Sequence, residues 1–239
     1  MANERLSVML WGAGQHGCAV AEYARAAGWN VVGFIDDDSE KLNSIVDSFG
    51  TRVVLTAREL LTCLAGDGVW PVEFDRIVPT VGDNATRIQH AHFLGPFLAP
   101  ALVHPSSVIS PTARLGDGTV ICPLSLVNTE AVLGRAVIVN SSSVIGHNVC
   151  VGDGAHVGPG VTLTGTVHVG ARTFVGSGAV AIPGVRIGAD VMVGAGAVVL
   201  HDVPDGATAV GVPVRLIQGI ERGNAAQTDS TIAASPFRA

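Results

Sequence analysis

The chain has 239 residues, enough for one large domain or two modest ones, with a formal charge of −6 and only 14% charged residues. No cluster of Lys and Arg offers the phosphate neutralisation that a nucleic-acid partner requires. Mean hydropathy is high, +0.45, yet Gly, Ser, Asp or His breaks every apolar run short of the roughly 18 residues of a membrane span. The excess apolarity therefore belongs in a packed core and in subunit contacts, with no membrane insertion.

The first apolar stretch, Leu6 to Trp11, is too short for a signal peptide. Cys18, Cys63, Cys122 and Cys150 form no CxxC pair and are expected as reduced thiols of a cytoplasmic protein. In chain order, LSVMLW reads as a buried strand, GAGQHG as a glycine-rich turn and CAVAEYARAAG as a helix ended by Gly28. NVVGFIDDD reads as a second strand, ARELLTCLAG as a helix, FDRIVPTVGDN as a strand entering a loop, and ATRIQHAHFLG as a helix. This is a βαβ-type domain with a parallel sheet over residues 1–104. Pro79 removes a ladder donor and belongs at an edge or a strand end.

From Ile109 the period changes. Every sixth residue from Ile109 to Val199 is apolar, sixteen in succession without an insertion, and Gly often follows. A hexapeptide period of this length predicts a parallel β-helix over residues 105–217, three six-residue sides to a turn. Stacked at about 4.8 Å per turn, the coil would stand roughly 25 Å tall. Residues 218–239 are expected to form a flexible tail.

Gly12-Ala13-Gly14-Gln15-His16-Gly17 is formally GxGxxG between a strand and a helix, with Asp36 about twenty residues on. Such a turn suits a phosphate at the helix N-terminus. About 100 residues leave no room for a full dinucleotide domain, so a nucleoside diphosphate joined to a sugar fits better than NAD or FAD. In the coil, His147 has Gly165 one turn above it and Thr129 one turn below, whereas His168 and His201 read as exposed bystanders.

The hexapeptides resemble those of the left-handed β-helix acyltransferases. WGAGQHG, GFIDDD, VGDN, VNSSSVIGHN, GAHVGPGVTLTG and VGVPVRLI narrow the resemblance. They are similar to a bacterial sugar O-/N-acetyltransferase family that includes nucleotide-sugar 4-amine N-acetyltransferases and sialic acid O-acetyltransferases. The resemblance implies a half-Rossmann-like α/β domain followed by a left-handed parallel β-helix, a homotrimer, and acetyl-CoA as co-substrate with no metal. It implies transfer to the 4-amino group of a nucleotide-linked amino-deoxy sugar, with O-acetylation of sialic acid or another glycan precursor as the alternative. A non-catalytic β-helix binding protein is the second alternative.

By the same resemblance His147 is the general base, with Asn148 beside it. Gly14, Gln15, His16, Asp36, Asp37, Asn84 and Asn140 fall on the substrate side, Asp36 and Asp37 toward the base. His156 contacts the thioester end of acetyl-CoA, and the Gly165 N–H is the candidate oxyanion donor. Gly176, Ser177, Gly194, Ala195, Val212 and Pro213 supply the small surfaces along which the cofactor lies. The chain departs from the family at Asn148, where an acidic residue is common. Glu130, eighteen residues earlier, is the candidate for supplying the missing charge. A γ-class carbonic anhydrase would need two zinc histidines about five residues apart, which the spacings of nine and twelve after His147 do not provide. Serine acetyltransferases carry a helical N-terminal domain, unlike this one.

Overall fold

The computed structural model describes residues 6–217; the tail expected at 218–239 lies outside them. Four parallel strands, β1 (Ser7–Trp11), β2 (Asn30–Asp36), β3 (Val53–Thr56) and β4 (Arg76–Pro79), form one sheet in the order β3-β2-β1-β4. Helices α1 (Gln15–Ala26), α2 (Ala57–Leu64) and α3 (Asn84–Leu94) connect and cover it. Helix α2 opens with a complete capping box between Thr56 and Glu59. Pro79 ends the edge strand β4, where its missing N–H costs no ladder bond.

The coil begins at Leu102–Val103, one hexapeptide before the run found in the sequence. Its two-residue strands stack with an 18-residue repeat into three parallel faces. Strands on the first face begin at Leu102, Val120, Ile138, His156, Phe174 and Met192; on the second at Val108, Leu126, Val144, Thr162, Val180 and Val198; on the third at Arg114, Val132, Cys150, His168 and Arg186. The second residue of each strand points inward, and from Ile121 to Val199 these form one continuous buried core. The last turn is two residues shorter, as Ile187 pairs with Val203 and Met192 with Thr208, and a terminal antiparallel strand, Arg215–Ile217, closes the first face.

Every sixth residue from Gly118 to Gly196 has positive φ, glycine or not. These are the corners of the prism. Leu124, Glu130, Ala136, Ser142, Asn148, Thr166, Arg172 and Asp190 take this left-handed conformation although each carries a side chain, at about 1 kcal/mol apiece. The βαβ domain sits on the first face: the outward residues Leu102, Val120 and Ile138 are buried in the same cluster as Val20, Ala21 and Ala24 of α1. His156, next up that column, is only half-buried, at the rim of the covered zone.

Candidate active site

The glycine-rich turn is built as the GxGxxG pattern requires. Gly12 has φ +126°, and a Cβ there would press on Thr80 and Val81. A Cβ on Gly17 would land on the Gly12 carbonyl oxygen, so the third glycine permits the close return of α1. Gly14 is the N-cap of α1, with no side chain capping the helix, and Gly14 and Gln15 are exposed there. Asp36 accepts the Ala13 N–H at 2.8 Å, the Asp38 N–H at 3.0 Å and the Lys41 ammonium at 3.1 and 3.2 Å. Burial alone would raise its pKa, but these donors outweigh burial and hold the carboxylate below its ordinary range. Asp36 is thus the clamp of the turn, and both its oxygens are engaged there. Asp37 accepts the Trp11 Nε1–H at 2.9 Å and is otherwise exposed.

His16 leads from that turn to the coil. Its ring lies 6.5 Å from that of His156, and its Nε2 is buried without a hydrogen-bond partner. His156 also meets Phe174 edge-on at 5.1 Å and the Asn140 amide nitrogen at 3.4 Å. Burial, reinforced by Arg87, lowers the pKa of His16 to about 4. Burial, then Arg87 and His16, lowers that of His156 to about 3. His16, Asn140 and His156 therefore gather beside the first face, where burial disfavours charge on both rings.

His147 lies elsewhere. It follows Val144–Ile145 on the second face and precedes Cys150–Val151 on the third, so it stands at the edge opposite the first face. The apolar core of the coil lies between it and the first face that carries His156. The imidazole is exposed, and its Nδ1 is 3.0 Å from Asn148 Oδ1. An amide oxygen can only accept, so Nδ1 is the protonated nitrogen of the neutral ring, and in that form Nε2 offers its lone pair. Backbone bonds from Asn148 N to Thr129 O and from Thr166 N to His147 O hold this corner between its neighbouring coils.

Gly165 stands above His147 as its position in the repeat requires. The space is not empty, because a Cβ on Gly165 would come within 2.5 Å of His147 Cε1 and closer still to Nε2. The glycine leaves room for the ring itself, and its N–H has no acceptor among the described residues. No ion pair joins Glu130 to His147.

Most other glycines of the repeat answer to the coil. A Cβ on Gly158, Gly176 or Gly146 would strike the backbone of the turn above. Asn140-Ser141, Gly158-Pro159, Gly176-Ser177 and Gly194-Ala195 nevertheless stack in one line at the edge between the first and second faces. Val210 packs over Gly194, and the exposed Val212-Pro213 turn follows it. The small residues assigned to the cofactor thus form a stripe rising from Asn140, on the His156 side of the prism and not the His147 side.

Asn84, expected on the substrate side, is occupied in the joint between domain and coil. Its Nδ2 donates to Arg172 O at 2.9 Å and its Oδ1 accepts from Arg87 at 2.8 Å. Sequence reading also passed over Arg87, fully buried in α3, and the stacking of His90 on Trp11 at 3.6 Å. The helical stripe Arg87, Ala91, Leu94 carried that signal, since it places the arginine on the packed side. Among the described residues no group of His, Cys, Asp and Glu is placed to hold a metal ion.

Residues 7–94 match the family model of the PglD N-terminal domain, and residues 130–165 and 166–201 match the bacterial transferase hexapeptide model. Perosamine N-acetyltransferase PerB from Caulobacter crescentus, solved with CoA and GDP-perosamine, is 35% identical, with TM-score 0.78 over 88% of this chain and 97% of that one. The chain belongs to the hexapeptide-repeat sugar N-acetyltransferases. A histidine-to-asparagine variant of the Caulobacter enzyme, in the same complex, aligns at 34% identity and TM-score 0.80 over 89% of this chain and 97% of its own. The acetyltransferase domain of PglB from Neisseria gonorrhoeae, in complex with acetyl coenzyme A, aligns at 31% identity and TM-score 0.78 over 90% and 100%. No curated protein sequence matches at a significant level. The family accounts for the pairing of a βαβ domain with a coil, and no described helix is long and apolar enough to cross a membrane.

Proposed function

We propose that the protein transfers an acetyl group from acetyl-CoA to the 4-amino group of a nucleotide-linked amino-deoxy sugar, with His147 as general base. The observation that carries this reading is the tautomer at His147, with Nδ1–H given to Asn148 and Nε2 free. Nε2 takes a proton as the amine nitrogen attacks the thioester carbonyl. The new C–N bond forms, the Gly165 N–H receives the developing oxyanion, and the C–S bond then breaks. The proton passes to the departing thiolate, so free CoA and the amide are the products.

The nucleotide sugar suits the uncapped N-terminus of α1, whose amides favour a pyrophosphate. His16 then offers its unpartnered Nε2 to the sugar, and the open oxygen of Asp37 faces the base. Relatives of this chain hold GDP-perosamine with CoA, or acetyl-CoA alone, which favours an amine acceptor over the hydroxyl of a sialic acid. The opposite placement of His147 and the His156 cluster supports a homotrimer in which one chain's His147 edge meets the next chain's first face.

CoA release would be followed with UDP-, GDP- and dTDP-linked 4-amino sugars and with sialic acid. Turnover confined to an amino sugar is expected; release with sialic acid alone would refute N-acetylation. For the shared site, His147→Ala and His156→Leu chains are co-assembled. Neither is active alone, and mixed trimers should regain roughly a quarter of the sites by random pairing. No recovery in a mixed assembly would place the whole site within one chain.

A further inference from the structure

Arg87 leads the fully buried side chains by volume, and its six hydrogen-bond acceptors are all uncharged oxygens. Nε donates to Ala136 O at 2.9 Å, and Nη1 to Val81 O at 3.1 Å and Gly82 O at 3.0 Å. Nη2 donates to Asn84 Oδ1 at 2.8 Å, Gly154 O at 2.7 Å and Ala155 O at 3.3 Å. One side chain therefore ties the loop after β4 and the start of α3 to two stacked corners of the coil. A Cβ on Gly154 would press into Ile88 and Asn84 O, so helix and corner are in direct contact. Ala155, the last acceptor, is the peptide neighbour of His156.

The geometry at His156 specifies its protonation. The Ser141 N–H donates to Asn140 Oδ1 at 2.8 Å, which turns the Asn140 NH2 group toward His156 Nε2, 3.4 Å away. A donor facing Nε2 requires a lone pair there, so the ring is neutral and its proton sits on Nδ1. His16 is the other titratable ring in the cluster, and Phe174 closes the remaining side without charge. Two imidazolium ions at this separation would repel each other.

We propose that Arg87 is a positioning residue of the transfer site: it locks the βαβ domain to the coil corner beside His156 and places a buried positive charge behind the His16–His156 pair. This rests on the acetyltransferase reading for its use, though not for its geometry. Burial lowers the Arg87 pKa to about 10, with Asp83 opposing, so the guanidinium stays charged at neutral pH. Burial is the first cause of the depressed histidines and Arg87 the next. A neutral His156 gives an acetyl-CoA thioester one fixed Nδ1–H donor over the whole working pH range.

The test is a histidine-selective NMR titration of the intact assembly from about pH 3 to 8, with pH profiles of kcat and KM for acetyl-CoA. In the native protein both rings should stay neutral down to about pH 5; either one gaining a proton above about pH 6 overturns the proposal without any variant. Arg87→Gln should raise both titrations and add an acid limb to the KM profile. Arg87→Lys keeps the charge, so it should keep the native titrations while kcat/KM falls about tenfold from looser docking. If Arg87→Gln fails to fold, the lysine variant decides, because protonation of either ring above about pH 6 would refute the charge effect. A folded Arg87→Gln protein with unmoved titrations also refutes it. Absence of acetyl transfer by a native protein whose rings behave as described would sink the enzymatic reading alone.

Discussion

The two histidines of the coil sit in opposite settings. His147 is exposed at a corner, oriented by a neutral amide, and packed under a glycine that exists to admit it. His156 is shielded at the rim of the domain, close to a buried cation and facing another histidine. A base must exchange its proton with substrate and solvent, whereas a group that holds a thioester works best when its charge never changes. On the proposed reading the contrast divides the work between an exposed half, His147, and a fixed half, His156.

The largest effect expected is from His147→Ala, which should lower kcat/KM by about 10²–10⁴-fold while circular dichroism and assembly size stay native. Near-normal turnover would remove the exposed half altogether. Next come paired glycine substitutions. Gly165→Ala drives a methyl into the imidazole and should cost about tenfold or more in kcat with little change in melting temperature. Gly176→Ala meets the Ala195 N and Val193 O backbone instead, so it should destabilise the coil by about 1–3 kcal/mol. Equal effects of the two on stability would mean that Gly165 serves the coil and not the ring. Asn148→Ala should reduce kcat about three- to tenfold through loss of the Nδ1 partner, and Asn148→Asp should match or exceed the native rate.

The smallest effect concerns acid stability and tests the fixed half. Unfolded imidazoles take up protons near 6.5, while His16 and His156 in the folded chain wait until about 4 and 3. Between those values the unfolded state binds more protons, so stability falls as pH drops below about 6.5 and is recovered as pH rises. Urea midpoints at pH 7 and pH 5 should show this fall, and His156→Gln should flatten it. An unchanged slope in that variant would mean that the ring is not held neutral.

The coil was legible because its physics is periodic: one inward residue in six, with no insertion between Ile109 and Val199. The βαβ domain was legible in outline, but β3 was missed. Its four residues, Val53–Thr56, follow the Asn43–Arg52 excursion and run straight into α2, without the turn that usually marks a strand's end. Gly165 could be placed because eighteen residues make one turn. The roles of Asp36 and Asn84 could not, since a polar side chain reads the same whether it faces a ligand or its own backbone. The separation of His147 from His156 follows from counting faces; nine residues along the chain look close, yet they pass an edge of the prism.

One consequence of the corners remains. The residue after His147 occupies a left-handed position, with φ 58° at Asn148, and another corner holds Asp190 in the same conformation at 55°. Asparagine and aspartate enter this backbone conformation most readily of the side-chain-bearing residues, and both offer an oxygen to a neighbouring imidazole. Exchanging one for the other at this corner changes the charge while leaving the chain path alone. The charge beside His147 can thus change independently of the architecture that carries it.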